Sequence, residues 1–437
     1  MACIRHKKNG SYKIIVSCGY DLTGKKLTKS TTFTPDPYTK TGKLKADKTI
    51  EKEVTDFANR FEKMVSSGQY TAGHEMTLEV YAEKYLEEYA KENQAPRTLQ
   101  STRSALSAFV ADFGYMTLET LTPLFLQGYF NDMAKQKSQT GSGTISHGTV
   151  KRKAAVLSAA LSQAVRWNLL SSNPMERVQV KDRSTGTAPQ PLKCFSQDQA
   201  EKFLQILDSP MLYSYASRSR TGKDGKVCHV SQYQSEHMTS LQFRFFFYLA
   251  MFTGCRRGEL IALKWSDLDL ESGSVSISKS VCRVNGEMLI KSTKTNSSRL
   301  ISIPQVVALI GRQWKREQAE YRLSIGSQWI GEGNVFTRWN GQIMGLDTPY
   351  QAFHRIIEHY NATRQPDEIE LPLIPLHGLR HTAATLLILN GVDVRTVSGR
   401  LGHANTSTTL NIYSHALEEF DRKASDVLEQ VLTFKKA

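Results

Sequence analysis

The stretch 377–381 reads HGLRH and runs directly into an apolar segment, TAATLLIL. Charged side chains are rarely buried without a partner. His377, Arg380 and His381, at the mouth of what reads as a core helix, therefore need a ligand, a charge partner or an open cleft. Four further stretches set polar side chains of the same kind beside apolar ones. TGCRRGEL (253–260) follows a Phe-rich run and carries Arg256, Arg257 and Glu259. KTNSSR (294–299) puts Lys294 in a turn, RLGHANTSTT (400–409) contributes His403, and LNIYSH (410–415) contributes Tyr413.

Arginine, lysine and histidine side chains are donors, or nearly only donors. Two guanidinium forks can hold the non-bridging oxygens of one phosphate bidentately. They would also neutralise the charge that grows there in a pentavalent transition state. A tyrosine beside such a clamp has a use as a covalent nucleophile. Its hydroxyl ordinarily ionises near pH ~10, so cationic neighbours must favour the phenolate. A leaving 5′ oxygen needs a proton, and a lysine on a turn can bring one. Guanidinium groups take the place of a metal ion in this scheme. Each signal alone has a plainer reading: an arginine at a helix end is commonly a solvated cap, and a tyrosine is commonly a core aromatic. His377 and His381 have the i, i+4 spacing of a zinc pair, but the glutamate of HExxH is missing and no third ligand lies nearby in sequence.

These groups must be held by folded domains. The chain has 437 residues, 40% hydrophobic, with a formal net charge of +14. That length exceeds one ordinary core and predicts two or three domains. The positive excess fits a polyanionic partner, most simply nucleic acid. The longest apolar run, FFFYLAMF at 245–252, is too short to span a bilayer, and the N-terminal segment MACIRHKKNGSYK lacks the apolar core of a secretory signal. The six cysteines are scattered without a CxxC pair, which fits free thiols in a reduced compartment.

Residues 1–34 read as strands, including SYKIIVSCGY and KLTKSTTF. Asp47 is placed to cap a helix to about Val65, with Ile50, Val54, Phe57, Phe61 and Met64 on one face. After a linker at 68–73, helical periodicity predicts a four-helix bundle to about residue 172, its last helix opened by KRK at 151–153. KDRSTGTAPQPLK (181–193) reads as a second linker. The remainder mixes helices with three strands, SVSISKSVCRV, GEMLIKST and RLISIP, over 274–304. Residues 211–240 read as a polar, irregular inserted loop. In the tail, Leu417, Phe420, Ala424, Val427, Leu428 and Val431 form a helical stripe.

TGCRRGELIALKWSDLD, HGLRHTAATLLILNGVD and LGHANTSTTLNIYSH resemble the three signature boxes of the tyrosine recombinase (phage-type integrase) family. The layout is most like that of integrases of conjugative transposons. The resemblance implies a multi-domain, mainly α protein. It has an arm-type DNA-binding domain at 1–67 (a three-stranded β-sheet plus helix) and a core-binding helical bundle at 74–180. A linker at 181–193 leads to a mixed α/β, mostly helical catalytic domain at 194–437, with a β-hairpin region and a C-terminal tail helix. It further implies that Arg256 and Arg380 clamp the phosphate, Glu259 supports the first arginine, and His377 and His403 fill the two histidine positions. Tyr413 is then the nucleophile and Lys294 the general acid, with Lys291 three residues away as the other candidate. His381 has no chemical role in the family. The implied activity is site-specific recombination through a 3′-phosphotyrosyl bond, with no metal and no cofactor. The chain also has no GxxxxGK[ST] loop. The implied partners are double-stranded DNA attachment sites, further copies of the chain in a tetrameric synapse, and an excision factor or DNA-bending protein. The implied location is the bacterial cytoplasm, on DNA and without a membrane. A chromosome-dimer resolvase, a type IB topoisomerase-like enzyme and a catalytically silent DNA-binding regulator are the rival readings.

Overall fold

The computed structural model describes residues 2–7, 10–20, 26–38, 44–66, 76–138, 143–180, 193–221, 227–292, 298–403, 405–406 and 409–410. Lys294, Tyr413, the linker expected at 68–73, all but Lys193 of the linker expected at 181–193, and the tail stripe from Leu417 to Val431 lie outside the described residues. The chain separates into two compact units, Met1–Thr187 and Ala188–Ala437.

In the first unit, strands β1 (Cys3–His6), β2 (Tyr12–Tyr20) and β3 (Lys26–Phe33) form an antiparallel sheet in that order. Helix α1 (Asp47–Ser66) covers it. Ile14 and Val16 pack on Ala58 and Phe61, and Phe33 stacks on Phe57 at 4.4 Å. Asp47, expected as the N-cap, is instead the first helical residue. Its carboxylate still meets the positive end of the helix dipole there. Next, α2 (Leu78–Lys84) starts at its Thr77 cap and passes through a π-helical turn, Tyr85–Ala90, into α3 (Lys91–Asn93). Then come α4 (Pro96–Phe113), α5 (Pro123–Met133) and α6 (His147–Arg166). The prolines fall in the first turn, where a missing N–H costs nothing, and Thr122 and Ser146 cap the following helices. Tyr81, Phe109, Phe113, Phe130, Leu157 and Leu161 form their common core.

In the second unit, α7 (Gln197–Asp208) opens with a capping box made by Ser196 and Gln199. The expected irregular loop at 211–240 is instead a pair of β-ladders. Strand β4 (Met211–Tyr215) pairs with β7 (Tyr233–His237), and β5 (Arg218–Thr221) pairs with β6 (Val227–Val230). Strand β4 alternates in burial, but four of the five β7 residues are exposed, so the period-two signal is weak. Cross-strand rings supply contacts instead, with Tyr215 stacked on Tyr233 at 4.7 Å. Tyr213 stacks on His359 at 3.9 Å and fastens this arm to the unit.

Helix α8 (Leu241–Thr253) is buried nearly all round, as a central helix must be. It leads to α9 (Arg257–Ile261). Strands β8 (Leu268–Asp269), β9 (Ser274–Ile277) and β12 (Arg299–Ser302) form one antiparallel sheet, and β10 (Lys279–Val284) pairs with β11 (Glu287–Ser292) in a hairpin. The stretch expected as one strand, SVSISKSVCRV, thus divides at Ser278 between two sheets. Helices α10 (Gln305–Ile325), α11 (Thr348–Thr363), α12 (Gly378–Leu389) and α13 (Val394–Leu401) complete the unit, and α8 packs against α10, α11 and α12. Among the described residues no helix is long and apolar enough to cross a membrane.

Phe246 is 0% exposed on α8, whereas Leu323 on α10 is 82% exposed. Phe246→Ala should lower the unfolding free energy by about 3–5 kcal/mol through lost burial and a residual cavity. Leu323→Ala should change it by less than about 0.5 kcal/mol. Urea denaturation followed by circular dichroism checks both values.

Candidate active site

Helix α8 ends at Thr253, and Gly254 turns the chain in the left-handed region at φ 63°. A Cβ at Gly254 would come within 2.6 Å of Leu401 Cδ2, so glycine is required both for conformation and for close approach. Arg256 then caps α9. Its backbone N–H donates to Glu259 Oε2 at 2.9 Å, and its Nη1 donates to Oε1 at 2.9 Å. The Glu259 side chain is 3% exposed and that of Arg256 is 44% exposed. The arginine is therefore gripped at its base while part of its fork faces solvent. Burial opposes ionisation of Glu259, but the hydrogen bonds and charges of Arg299 and Arg256 outweigh it and hold the carboxyl below its ordinary range.

The segment 377–381 enters α12 with His377 as the N-cap residue and Arg380 in the first turn. Arg380 is 3% exposed. Its Nη1 donates to the Gly254 carbonyl at 2.7 Å, and its Nη2 has no acceptor among the described residues. Burial, then the charge of Arg256, pulls its guanidinium down to about 10, so it stays cationic at neutral pH. The His377 and His381 rings meet edge to face at 4.9 Å. His377 is exposed on its outer side, but its inner side is enclosed by protein. That partial burial, followed by His381 and Arg380, lowers it to about 4. Burial, then Arg380 and Arg256, likewise lowers His403 to about 4. Its Nδ1 pairs with Thr409 Oγ1 at 2.8 Å. Burial also lowers His381.

Arg256, Glu259, His377, Arg380 and His403 thus form one cluster, each close enough to influence its neighbours' charge. The adjoining cavity, of about 320 Å³, is lined by Cys255, Arg257, Tyr350, His377 and Arg380 among others. Arg257 turns to Asp347 at 3.5 Å, an ion pair that Arg283 shares at 2.8 Å. Lys291 lies on β11 opposite Ser280.

Two arginines at the site were not singled out from the sequence. Arg299 donates to Glu259 Oε2 at 2.6 Å, and Arg400 Nη2 donates to the carbonyls of Phe252 at 2.7 Å and Ser302 at 2.9 Å. A signal for Arg299 did exist. Side chains alternate along a strand, which puts Arg299 on the same face as Ile301, 2% exposed, while Leu300, 74% exposed, faces out. Taken as a whole, the cluster holds guanidinium and imidazole donors braced by one buried carboxylate, an arrangement able to hold an anionic phosphate.

Comparison with known proteins agrees with this geometry. The phage integrase family matches residues 226–419, and the phage integrase SAM-like domain matches residues 77–181. The ICEBs1 integrase of Bacillus subtilis (strain 168) is 22% identical over 98% of this chain and 100% of its own length. A XerC-like tyrosine recombinase of Caldanaerobacter subterraneus subsp. tengcongensis is 23% identical, over 97% of each chain. Among solved structures, the Tn1549 transposon integrase in complex with transposon right end DNA superposes with a TM-score of 0.60 at 20% identity, covering 81% of this chain and 99% of that one. A lambda integrase dimer bound to a COC′ core site gives a TM-score of 0.52 at 15% identity, covering 94% and 93%. These likenesses show a shared fold, and the sequence matches reach both compact units. The chain belongs to the tyrosine recombinases of phage integrase type, is most like the integrases of conjugative transposons, and is a site-specific DNA recombinase of the mobile-element kind.

Proposed function

We propose that this recombinase cuts and rejoins duplex DNA at the ends of a mobile element through a phosphotyrosyl bond formed by Tyr413. The observation that carries this reading is the placing of two arginines in one cluster, close enough for the charge of Arg256 to bear on Arg380. The half-exposed Arg256 and the buried Arg380, whose Nη2 has no acceptor among the described residues, offer forked donors to a single phosphate. The Tyr413 phenolate oxygen attacks phosphorus, a 3′-phosphotyrosyl ester forms and the bond to the 5′ oxygen breaks. Lys294 gives that oxygen its proton. Religation runs the same steps backwards from another 5′ hydroxyl, so bond energy is conserved and no nucleotide cofactor is consumed. Neutral His377 and His403 donate to the phosphate oxygens, and Glu259 supports Arg256.

The N-terminal sheet and helix at 1–67 serve as the arm-type DNA-binding domain, and the helices at 74–180 as the core-binding domain. The linker at 181–193 joins them to the catalytic domain at 194–437. Exchange needs two duplexes and several protomers, so the working form is a tetramer on paired attachment sites, assisted by an excision factor or a DNA-bending protein. An apolar groove lined by Ala200, Leu204, Met251, Ala383, Leu386 and Leu387 supports docking of the tail stripe of an adjoining protomer. The setting is DNA in the bacterial cytoplasm.

Three outcomes are expected. On a nicked duplex carrying the element's end, Tyr413→Phe abolishes the covalent protein–DNA adduct on a denaturing gel but retains gel-shift binding. An adduct that persists removes Tyr413 as nucleophile. Arg380→Lys slows cleavage by on the order of 10²–10³, because an ammonium lacks the fork and one oxyanion donor is lost; a near-normal rate would contradict the clamp. The third concerns pH. His377 and His403 titrate near 4 in the folded chain and near ~6.5 when unfolded. The folded state therefore binds fewer protons between those values, and stability falls as pH drops from about 6.5 towards 4. The thermal midpoint should track that fall, and the His377→Gln/His403→Gln double variant should show a shallower one.

A further inference from the structure

Arg299 lies outside every role assigned above. It opens β12, and its side chain is 13% exposed. Nη2 donates to Glu259 Oε2 at 2.6 Å, and Nη1 reaches Oε1 at 3.4 Å. Nε donates to the Arg400 carbonyl at 3.0 Å, and Nη2 stands 3.6 Å from Cys255 Sγ. Three segments of the catalytic unit therefore meet on one side chain: α9 through Glu259, the end of α13 through Arg400, and β12 itself. Nearby, Gly402 is left-handed at φ 69°, and a Cβ there would lie 2.7 Å from Arg299 Nη1. The space around this guanidinium is thus tightly fitted.

The Glu259 carboxylate is divided between two arginines. Arg256 holds Oε1 with its side chain and Oε2 with its backbone N–H, and Arg299 takes Oε2 with its short bond. A carboxylate is planar, so fixing one oxygen fixes the direction in which the other faces. We infer that Arg299 is a positioning residue of the phosphate clamp: acting through Glu259, it sets where Arg256 stands. Its charge also offsets that of the carboxylate. Without it, a buried anion would face Arg256 alone and draw that guanidinium inward, away from the phosphate. The inference rests on Arg256 being a clamp arginine.

The test compares cleavage of two element-end duplexes by the full chain. One carries the ordinary scissile phosphate. The other carries a methylphosphonate, in which a methyl group replaces one non-bridging oxygen and removes the charge. A residue acting through the clamp is needed more on the charged substrate, whereas a general loss of fold slows both alike. Arg299→Gln should lose on the order of 10²-fold on the phosphate, the size of effect a small displacement of a reacting group produces, and far less on the methylphosphonate. Arg299→Lys, which keeps the charge without the fork, should fall between Arg299→Gln and the unmodified protein. Arg299→Gln/Glu259→Gln should be no slower than Glu259→Gln alone, since both act on the same path. Equal losses on the two substrates, or additive losses in the double variant, overturn the inference. Arg256→Ala separates the two ideas. If it also loses equally on both substrates, the clamp reading fails and the inference fails with it; if it is selective for the phosphate and Arg299→Gln is not, the inference alone fails.

Discussion

The cationic side of this site depends on one buried carboxylate. Glu259, 3% exposed, lies between the guanidiniums of Arg256 and Arg299, and its charge also reaches Arg380. Like charges held together in a poorly solvated place repel strongly, and an effective dielectric well below that of water sharpens the cost. Glu259 offsets part of that repulsion, enough for the arginines to be held in fixed directions. It does not cancel it: one carboxylate among Arg256, Arg299, Arg380 and Arg400 leaves positive charge in excess. A site with no carboxylate would splay its arginines into solvent.

Holding that arrangement requires four segments to converge, and the polypeptide does this chiefly with backbone contacts. Arg380 reaches back to the Gly254 carbonyl, Arg299 to that of Arg400, and Arg400 to those of Phe252 and Ser302. Carbonyl oxygens carry partial negative charge without adding a titratable group, so they orient guanidiniums without neutralising them. The same convergence explains the glycines at the hinges. Gly254 admits Leu401, and Gly402 admits Arg299, at distances that a methyl group would close. The histidines fit the same scheme. Burial and the neighbouring guanidiniums keep His377 and His403 uncharged near neutrality, so they add donors without adding to the repulsion.

Legibility in the sequence followed the strength of local signals. The α8 run from Phe245 to Phe252 is apolar on every face, and a helix of that kind can only be central. The boxes around Arg256, Arg380 and His403 were readable because polar residues stand where apolar segments end, and the described members of those boxes do lie in one cluster. Arg299 escaped notice because a charged residue at the start of a strand reads as solvent-facing, although its alternation with Leu300 said otherwise. The arm at 211–237 was hidden for a different reason. Its strands are held by ladder hydrogen bonds and by rings such as Tyr215 on Tyr233, and neither leaves a period-two apolar pattern. The break at Ser278 was invisible too, since two strands of like composition with one residue between them read as one. The roles proposed for Lys294 and Tyr413 stand on the sequence boxes and on the chemistry.

Among the described residues, Nη2 of Arg380 has no acceptor, and the proposed reaction gives that donor a use. A buried donor without an acceptor costs stability, about 1–3 kcal/mol and more when charged, so such groups are uncommon and call for a reason. A carboxylate placed next to it would remove the cost but, in the proposed reaction, would also occupy the position of a phosphate oxygen. Glu259 is instead directed to Arg256 and Arg299, while Nη1 of Arg380 donates to a neutral carbonyl. The guanidinium is thereby held in direction by Nη1 while Nη2 stays available. A donor fixed before the substrate arrives needs no reorganisation as charge builds on the phosphate oxygens. In the proposed reaction, the stability given up at Arg380 is recovered when negative charge is greatest, at the pentavalent transition state.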